Sequence, residues 1–251
     1  MSNKKGGCLK WLGILLGVFI LLMLVGYFML NEPLPKGEKG PAADALAQKM
    51  LTAVDKPAWD STRYVQWTFK GMHSFLWDKE KHNVEIKWGE NKVLLNTKSV
   101  TGLAYENGTQ LSGEAADKMV YEAWGYFCND SFWLNAPVKA FDIGTERSIV
   151  KMEDGKEALM VSYTGGGVTP GDSYLWILDE NGRPTSYKMW VSIIPIGGVE
   201  FTWENWETLE GGALISALHK GLLELDMSNL KAGNDLQSMG LKGDLFDALE
   251  K

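Results

Sequence analysis

Cysteine and histidine are scarce in this chain, which has two cysteines and three histidines among its 251 residues. Cys8 and Cys128 do not form a CxxC pair, so the sequence offers neither a disulfide framework nor a thiolate metal site. A Gly-x-Ser-x-Gly nucleophile elbow is also absent. Because the common sequence signs of catalysis are missing, we expect a protein that is not an enzyme and that uses no cofactor.

Positive charge is in short supply as well, with 25 Lys and Arg against 32 Asp and Glu. Lys4, Lys5 and Lys10 all lie within the first thirty residues, which contain no acid. The remainder therefore has 22 basic and 32 acidic residues and a net charge of −10. Such a domain repels phosphate backbones, and no basic stripe offsets this, so a nucleic-acid partner is excluded.

One long apolar run is present at residues 11–30, with the sequence WLGILLGVFILLMLVGYFML. Twenty helical residues span roughly 30 Å, the thickness of the hydrocarbon core of a bilayer. Trp11 and Tyr27 stand near its two ends, where interfacial aromatic residues are common. The lysines precede the run and Glu32 follows it, which predicts a cytoplasmic N-terminus and a single membrane crossing.

A cleavable signal peptide is the alternative interpretation of this run. Small residues should then stand at the cleavage site, but Phe28, Met29, Leu30 and Asn31 stand there instead. We therefore predict an uncleaved signal anchor, which separates Cys8 from Cys128 across the membrane. The predicted organisation is a cytoplasmic N-terminus (1–10), a transmembrane signal anchor (11–30), a linker (31–41) and an extracytoplasmic domain (42–251).

Periodicity in the domain predicts the order helix, strands, helix, strands, short helix. The first helix begins at Ala42 and should end at Pro57, and the second begins near Ser112 and should stop near Asn129-Asp130. A final short helix follows Asn234. Strand signals cover about 64–70, 84–88, 93–95, 189–193, 199–203, 206–209 and 214–225, and strands resume near Arg147.

Tight turns such as Asn107-Gly108 join neighbouring strands, and strands joined in this way are antiparallel. No alternation of strand, helix and strand is visible. The sequence thus predicts an α+β fold, in which a curved antiparallel half-barrel sheet carries a helix on its concave face.

Tryptophan is the most informative residue type, with eleven in the chain. Two interpretations remain open. The rings either fill a closed core or line an apolar pocket lidded by the second helix. Those on predicted strands are Trp67, Trp88, Trp176, Trp190, Trp203 and Trp206, and Trp124 lies on the apolar face of the helix.

A metal site is a further possibility, because His73, Asp78 and His82 lie within ten residues of one another. They flank a turn, however, and do not occupy one face of a helix at positions i and i+4. The alternative is a hairpin whose tip carries polar groups and binds no metal. A metal-dependent hydrolase that uses these three residues is therefore an alternative hypothesis.

Several segments resemble the LolA-like superfamily, and more closely its uncharacterised bacterial envelope branch. These segments are His73-Ser-Phe-Leu-Trp-Asp78, Asn129-Asp-Ser-Phe-Trp-Leu-Asn-Ala-Pro137, Asp172-Ser-Tyr-Leu-Trp-Ile-Leu178 and Tyr187-Lys-Met-Trp190. The resemblance implies a half-barrel whose apolar cavity binds acyl chains without catalysis. It also implies a location on the periplasmic side of the bacterial inner membrane. The lining that it implies comes from Trp67, Phe69, Trp88, Trp124, Trp176 and Trp190.

The predicted anchor departs from the freely diffusing carriers of that superfamily, because an anchored domain does not shuttle across the envelope. The leading hypothesis is a membrane-anchored, non-enzymatic domain that binds a lipid, a lipoprotein acyl chain or another apolar ligand. The alternatives are a structural or regulatory partner-binding module with a closed core, and the metal-dependent hydrolase.

Overall fold

A computed structural model describes residues 5–165 and 170–249 of the chain. Its first element is helix α1 (Lys5–Leu30), which ends where the N–H of Asn31 donates to the carbonyl of Tyr27 at 2.8 Å. From Lys10 to Leu30 the helix is long and apolar enough to cross a bilayer, and this stretch is not buried against the rest of the protein.

Two short helices follow, α2 (Pro41–Ala53) and α3 (Lys56–Ser61). The apolar face predicted for α2 is the face that is buried. Pro57 does not end α2 but lies in the first turn of α3. Backbone N–H groups in the first turn have no acceptor within the helix, so a proline there costs no hydrogen bond. The Asp55 side chain caps α3 by accepting a hydrogen bond from the N–H of Ala58 at 3.1 Å.

Fourteen strands make up the two open antiparallel sheets of the described residues. Six precede the long helix: β1 (Tyr64–Phe69), β2 (His73–Asp78), β3 (Asn83–Trp88), β4 (Asn91–Asn96), β5 (Thr101–Glu106) and β6 (Thr109–Gln110). Eight follow it: β7 (Thr145–Lys151), β8 (Glu157–Tyr163), β9 (Ser173–Leu178), β10 (Pro184–Trp190), β11 (Val199–Thr202), β12 (Glu204–Thr208), β13 (Leu214–Lys220) and β14 (Glu224–Gly233). The predicted α+β class, with a helix packed against antiparallel sheet, is confirmed.

The strands form two sheets, whereas the sequence predicts one. The larger has the order β12-β13-β14-β1-β2-β3-β4-β5-β6 and the smaller the order β11-β10-β9-β8-β7. The chain leaves the smaller sheet at Thr202 and enters the larger one at Glu204. Trp203, which is buried between them, continues the alternating pattern, so periodicity alone did not reveal the break. The two sheets meet where the N–H of Lys220 donates to Thr202 Oγ1 at 3.0 Å.

The long helix α4 (Glu114–Asn135) packs against β4, β5 and β13 and leads into a 3₁₀ helix (Ala136–Lys139). Its buried face includes Val120, Ala123 and Phe127. The prediction that this helix stops near Asn129 is wrong by about a turn and a half. Asp130 is buried in the contact with the sheet, so the polar residues Asn129 and Asp130 do not end the helix.

The segment between α1 and α2 lies along the smaller sheet. The N–H of Glu32 donates to the carbonyl of Gly197 at 3.0 Å, and the indole N–H of Trp190 donates to the carbonyl of Glu32 at 2.8 Å. Glu38 and Ile149 exchange both backbone hydrogen bonds, at 2.8 and 2.9 Å. Residues 31–40 are therefore fastened to the domain along much of their length.

The C-terminal helix that the sequence predicts is a short 3₁₀ helix (Leu245–Leu249) in the structure. Its Phe246 is fully buried. Leu241 and Leu245 pack against a small cluster formed by Tyr64, Leu76 and Met239, on the side of β1 away from the main core.

Candidate functional site

The six aromatic residues assigned to a pocket do not all share one face. Trp67, Phe69 and Trp176 are buried in the main core, and Trp88 and Trp124 pack against it while partly exposed. The structure thus brings these five residues to one core, and it does not bring the sixth there.

Trp190 lies on the opposite face of the smaller sheet. Its ring packs beside a separate cluster that includes Met160 and Leu175. Side chains alternate along a strand, so Tyr187 and Met189 of β10 point into the main core while Trp190 points away from it.

A first group of rings lies where α4 crosses the larger sheet. Trp67 stacks on Phe75 with ring centroids 4.5 Å apart and an interplanar angle of 10°. Phe127 of α4 stands over this pair, 6.4 Å from Trp67 and 6.5 Å from Phe75. It also meets the ring of Trp77 edge-on at 5.2 Å and that of Trp124 at 6.0 Å. Phe127 is thus the side chain through which α4 closes over this part of the sheet.

A second group surrounds Trp133, near the C-terminal end of α4. Its ring lies 5.5 Å from Tyr187, 4.9 Å from Phe201 and 5.2 Å from His219. Trp203 completes the group, 4.4 Å from His219. Of these residues, sequence reasoning singled out Trp203 among the strand tryptophans but assigned none of them to the pocket.

The interior beneath α4 is closed by these rings, whose spacings are those of aromatic side chains in contact. Two cavities that open to solvent lie elsewhere on the described residues. One of about 290 Å³ is lined by Asp60, Ser61, Thr62, Arg63, Lys79 and Glu80. The other, of about 320 Å³, is lined by Asn31, Glu32, Pro33, Leu34, Trp190, Val191, Ile194 and Gly197.

The closed interior nevertheless contains polar atoms that have no hydrogen-bond partner among the described residues. They include the indole N–H groups of Trp67, Trp77 and Trp203 and the hydroxyls of Tyr163 and Tyr187. Buried polar atoms in proteins are nearly always paired, and each unpaired one costs about 1–3 kcal/mol. Burial also raises the pKa of the Tyr187 hydroxyl well above its ordinary value, so this group remains a donor. The interior is therefore apolar with hydrogen-bond donors distributed through it.

His73 and Asp130 join α4 to β2. His73 Nδ1 and Asp130 Oδ2 lie 2.7 Å apart, and the side-chain amide of Asn129 donates to the other carboxylate oxygen at 2.8 Å. The imidazole also stacks on Tyr126 with centroids 4.0 Å apart. Burial raises the pKa of Asp130, while the bonds from Asn129 and His73 act in the opposite direction. A buried polar pair thus holds the helix against the sheet.

Sequence reasoning missed Asp130, although a signal for it is present. Val120, Ala123 and Phe127 mark the buried face of α4, and Asp130 is the next residue on that face at helical spacing. An acid at a position that the periodicity makes buried needs a partner. The sequence alone did not identify that partner, which comes from a strand 57 residues earlier.

The three residues of the metal hypothesis do not converge. His73 and Asp78 occupy the two ends of β2, and His82 lies in the turn that follows. Asp78 accepts a hydrogen bond from the Arg63 guanidinium at 2.9 Å, while His73 is engaged with Asp130. No cluster of three or more His, Cys, Asp or Glu side chains placed to hold a metal occurs in the part of the chain that the structure describes.

Comparison with known proteins gives similarity to solved structures only. No family model and no curated protein matches the chain. It is similar to a DUF1329 family protein from Desulfovibrio piger, with a TM-score of 0.41 and 11% identity over 77% of this chain and 95% of that one. It is also similar to an outer membrane lipoprotein-sorting protein domain from Vibrio parahaemolyticus, with a TM-score of 0.34 and 10% identity over 82% of this chain and all of that one. The second is the kind of protein that the sequence resemblance names, but likeness at this level does not transfer a ligand or an activity.

Proposed function

We propose that this chain is a membrane-anchored, non-enzymatic domain that binds a lipid, a lipoprotein acyl chain or another apolar ligand beneath α4. The observation that carries the proposal is the set of unpaired donors inside an aromatic interior. A core selected for stability alone would pair or omit the indole N–H groups of Trp67 and Trp203 and the hydroxyl of Tyr187. An amphiphile with ester or hydroxyl oxygens suits both the rings and the donors. Its apolar chain contacts the aromatic rings, and its oxygens accept hydrogen bonds from the unpaired N–H and O–H groups.

Binding requires α4 to move, because the rings beneath it are in contact. The helix acts as a lid that is held at one place by the His73–Asp130 pair and at another by Phe127. A ligand that fits only the open arrangement shifts the population towards it by the difference in its affinity for the two states. The lining residues we assign are Trp67, Phe69, Trp88, Trp124 and Trp176, with Trp190 outside.

We assign α1 to the membrane as a single-pass signal anchor. Residues 1–10 then lie in the cytoplasm, and the domain from residue 42 onward lies on the periplasmic side of the bacterial inner membrane. The basic residues before the apolar run and its length support this orientation. The partners are accordingly the membrane and a lipid or acylated protein, without nucleic acid.

A photoreactive fatty acid tests the binding site. The full chain is reconstituted in lipid nanodiscs, incubated with a diazirine fatty acid and irradiated, and the cross-linked peptides are identified by mass spectrometry. We expect cross-links in β1, β9 and α4, where Trp67, Trp176 and Phe127 lie. Cross-links confined to α1 would contradict the proposal, because α1 meets the added fatty acid in the bilayer whether or not a site exists.

Two tryptophans on opposite faces of the smaller sheet provide a matched pair of variants. Trp176→Phe changes the interior and should reduce labelling of β1 and α4. Trp190→Phe changes the outer face of the same sheet and should leave the labelling unchanged. Equal effects of the two substitutions would mean that the label does not report on the interior.

The close packing of the rings favours one alternative, a structural or regulatory partner-binding module with a closed core. Trp67 and Phe75 stack at 4.5 Å, which leaves no room for an acyl chain between them. This alternative predicts no labelling beneath α4 at any concentration of the fatty acid. It also predicts that extraction of the purified full chain yields the same lipids as an unrelated single-pass protein.

A further inference from the structure

The hairpins of the two sheets alternate between two ends of the domain. The β1–β2 turn (70–72) and the β13–β14 turn (221–223) lie at the same end, because Phe69 pairs with both His73 and Met227. The larger and smaller sheets are aligned at this end by the bond from Lys220 N–H to Thr202 Oγ1.

The smaller sheet also contributes segments to this end, and among the described residues two of these segments carry exposed large hydrophobic side chains. The register pairs Ser173 with Trp190, so the β10–β11 loop (191–198) lies there. Thr145 pairs with Tyr163 at the same edge, so the segment 140–144 that precedes β7 lies there as well. These four segments, 70–72, 140–144, 191–198 and 221–223, are called the anchor-side rim.

The end of α1 is bonded directly to this rim. The N–H of Gly197 donates to Asn31 Oδ1 at 2.8 Å, and the N–H of Glu32 donates to the carbonyl of Gly197 at 3.0 Å. Lys188 binds the Glu32 carboxylate with both N–O distances below 2.9 Å. The first contact with the rim is thus made by Asn31, the residue directly after Leu30, the last residue of the helix.

Exposed apolar side chains are concentrated at the same end. Among the described residues after α1, eight large hydrophobic side chains are exposed, and six of them belong to the anchor-side rim. Ile143 is fully exposed, and Leu222 and Ile193 are exposed at 72% and 70%. Leu34 lines the cavity next to the rim, and Tyr121, on the outer face of α4, lies elsewhere. The six are Met72, Phe141, Ile143, Ile193, Leu222 and Leu223.

The opposite end of the sheets has a different composition. Its turns, which follow β2, β4, β7, β9 and β12, contain none of the exposed large hydrophobic side chains of the described residues. They carry mainly charged, polar and glycine residues, for example at 79–82, 153–156 and 179–183. Scattered exposed apolar residues are normal in a soluble protein, but their collection at one end marks an interaction surface.

We infer that the anchor-side rim rests on the leaflet that α1 enters, with Ile143, Ile193 and Leu222 inserted between the lipid headgroups. This inference rests on the proposed assignment of α1 as an anchor. A bilayer surface is the partner because α1 joins the rim through one residue, so the rim cannot lie far from the membrane into which α1 passes. The turns penetrate only to the headgroup boundary, since their irregular backbone needs water or protein partners for its polar groups.

This orientation also identifies a source for the ligand. His73, which ties α4 to β2, follows Met72 of the rim directly in the chain. In the proposed orientation this edge between α4 and β2 lies next to the leaflet, so an amphiphile that enters beneath α4 comes from the anchoring leaflet and does not have to cross water.

Site-directed fluorescence on the full chain tests the orientation. Cys8→Ser and Cys128→Ser give a cysteine-free background. Single cysteines are then introduced, one per variant, at Ile193 and Leu222 in the rim, at Glu153 and Asn181 at the opposite end, and at Val18 in α1. Each variant carries an environment-sensitive fluorophore in vesicles of phosphatidylcholine and phosphatidylglycerol. We expect lipids with a doxyl group near the headgroup to quench the rim labels, and iodide in the buffer to quench them severalfold less than the labels at Glu153 and Asn181. All five positions are solvent- or lipid-facing, and circular dichroism of each variant confirms that it is folded.

The label at Val18 separates the two possible failures. If this label is quenched by doxyl lipid while the rim labels are as open to iodide as the opposite end, the rim inference is overturned and the anchor stands. If iodide also quenches the label at Val18, α1 does not lie in the membrane. The assignment of α1 as an anchor is then overturned, and the rim inference is overturned with it. Ligand binding beneath α4 is scored separately by the photoreactive fatty acid.

Discussion

His219 makes the stability of the interior dependent on pH. It is fully buried between Trp133 and Trp203, and burial lowers its pKa to about 4 from the ordinary value of 6.5. Between these two values the unfolded chain binds more protons than the folded one, so stability is complete above pH 6.5 and is lost as the pH falls towards 4. At 1.36 kcal/mol per pH unit, the loss amounts to roughly 3 kcal/mol.

The variant His219→Gln removes this titration, so its urea midpoint should fall less between neutral and mildly acidic pH than that of the natural chain. All other ionisable groups are the same in both proteins, so the difference between the two curves isolates His219. Parallel curves would show that the imidazole is accessible to protons in the folded state.

The His73–Asp130 pair gives a second prediction for single residues. His73→Ala leaves the Asp130 carboxylate buried with only the amide of Asn129, and breaking a buried pair in this way costs about 3–5 kcal/mol. Adding Asp130→Asn removes the stranded charge and should recover part of the loss. A double-mutant cycle in urea measures both effects, and simple additivity of the two substitutions would exclude a direct interaction.

At the scale of elements, Phe127 is one of the side chains that hold α4 against the larger sheet. Phe127→Ala removes ring contacts with Trp67, Phe75, Trp77 and Trp124, and we expect a loss of about 3–5 kcal/mol in the free energy of unfolding. Amide exchange should accelerate along α4 before it does in β1. Tyr121→Ala on the outer face of the same helix is the control, since an exposed side chain should change stability by less than about 0.5 kcal/mol.

Gly197 controls the joint between α1 and the domain. A Cβ at this position would lie 2.3 Å from the Trp190 ring and 2.7 Å from the carbonyl of Glu32, so Gly197→Ala should displace residues 31 and 32 from the rim. Limited proteolysis should then cut between Leu30 and Pro41 more readily. Gly125→Ala in α4, where nothing lies within 4 Å, should instead be neutral or stabilise the helix by up to about 1 kcal/mol.

The sequence predicted those features that depend on local periodicity. The apolar length of α1, the buried face of α2, the presence of α4 and the antiparallel pairing of strands all follow from short-range patterns. The division into two sheets depends on Trp203 being buried while the chain changes its hydrogen-bonding partners. The extension of α4 past Asn129 depends on a partner for Asp130 that is 57 residues away.

The candidate lining was predictable only in part, because strand alternation fixes relative but not absolute orientation. Once Trp176 is known to face inward, Trp190 on the paired strand is seen to face outward, since it stands opposite Ser173 and three residues beyond Tyr187. The unpaired donors follow from side-chain packing, about which composition carries no information.

For the whole molecule, the proposed topology predicts which residues are accessible from outside the inner membrane. In spheroplasts, a membrane-impermeant maleimide should label Asn181→Cys at once and Cys8 only after lysis. Replacing Lys4, Lys5 and Lys10 with glutamine removes the charge asymmetry and should reduce the labelling of Asn181→Cys. Detergent-treated cells give the maximum labelling, and immediate labelling of Cys8 in intact spheroplasts would refute the topology.

The docking of residues 31–40 also determines how the domain meets its partners. A free extended segment of that length would allow the domain to range roughly 35 Å from the bilayer. Because Asn31 and Glu32 are already hydrogen-bonded to Gly197, residues 31–40 do not act as a free linker between α1 and the domain. In the proposed orientation the search for a partner is two-dimensional, so encounter rates depend on lateral diffusion and on surface density instead of on the volume of the periplasm. Under the proposed topology, a partner on the outer membrane would reach the domain only through a mobile intermediary or by spanning the periplasm itself.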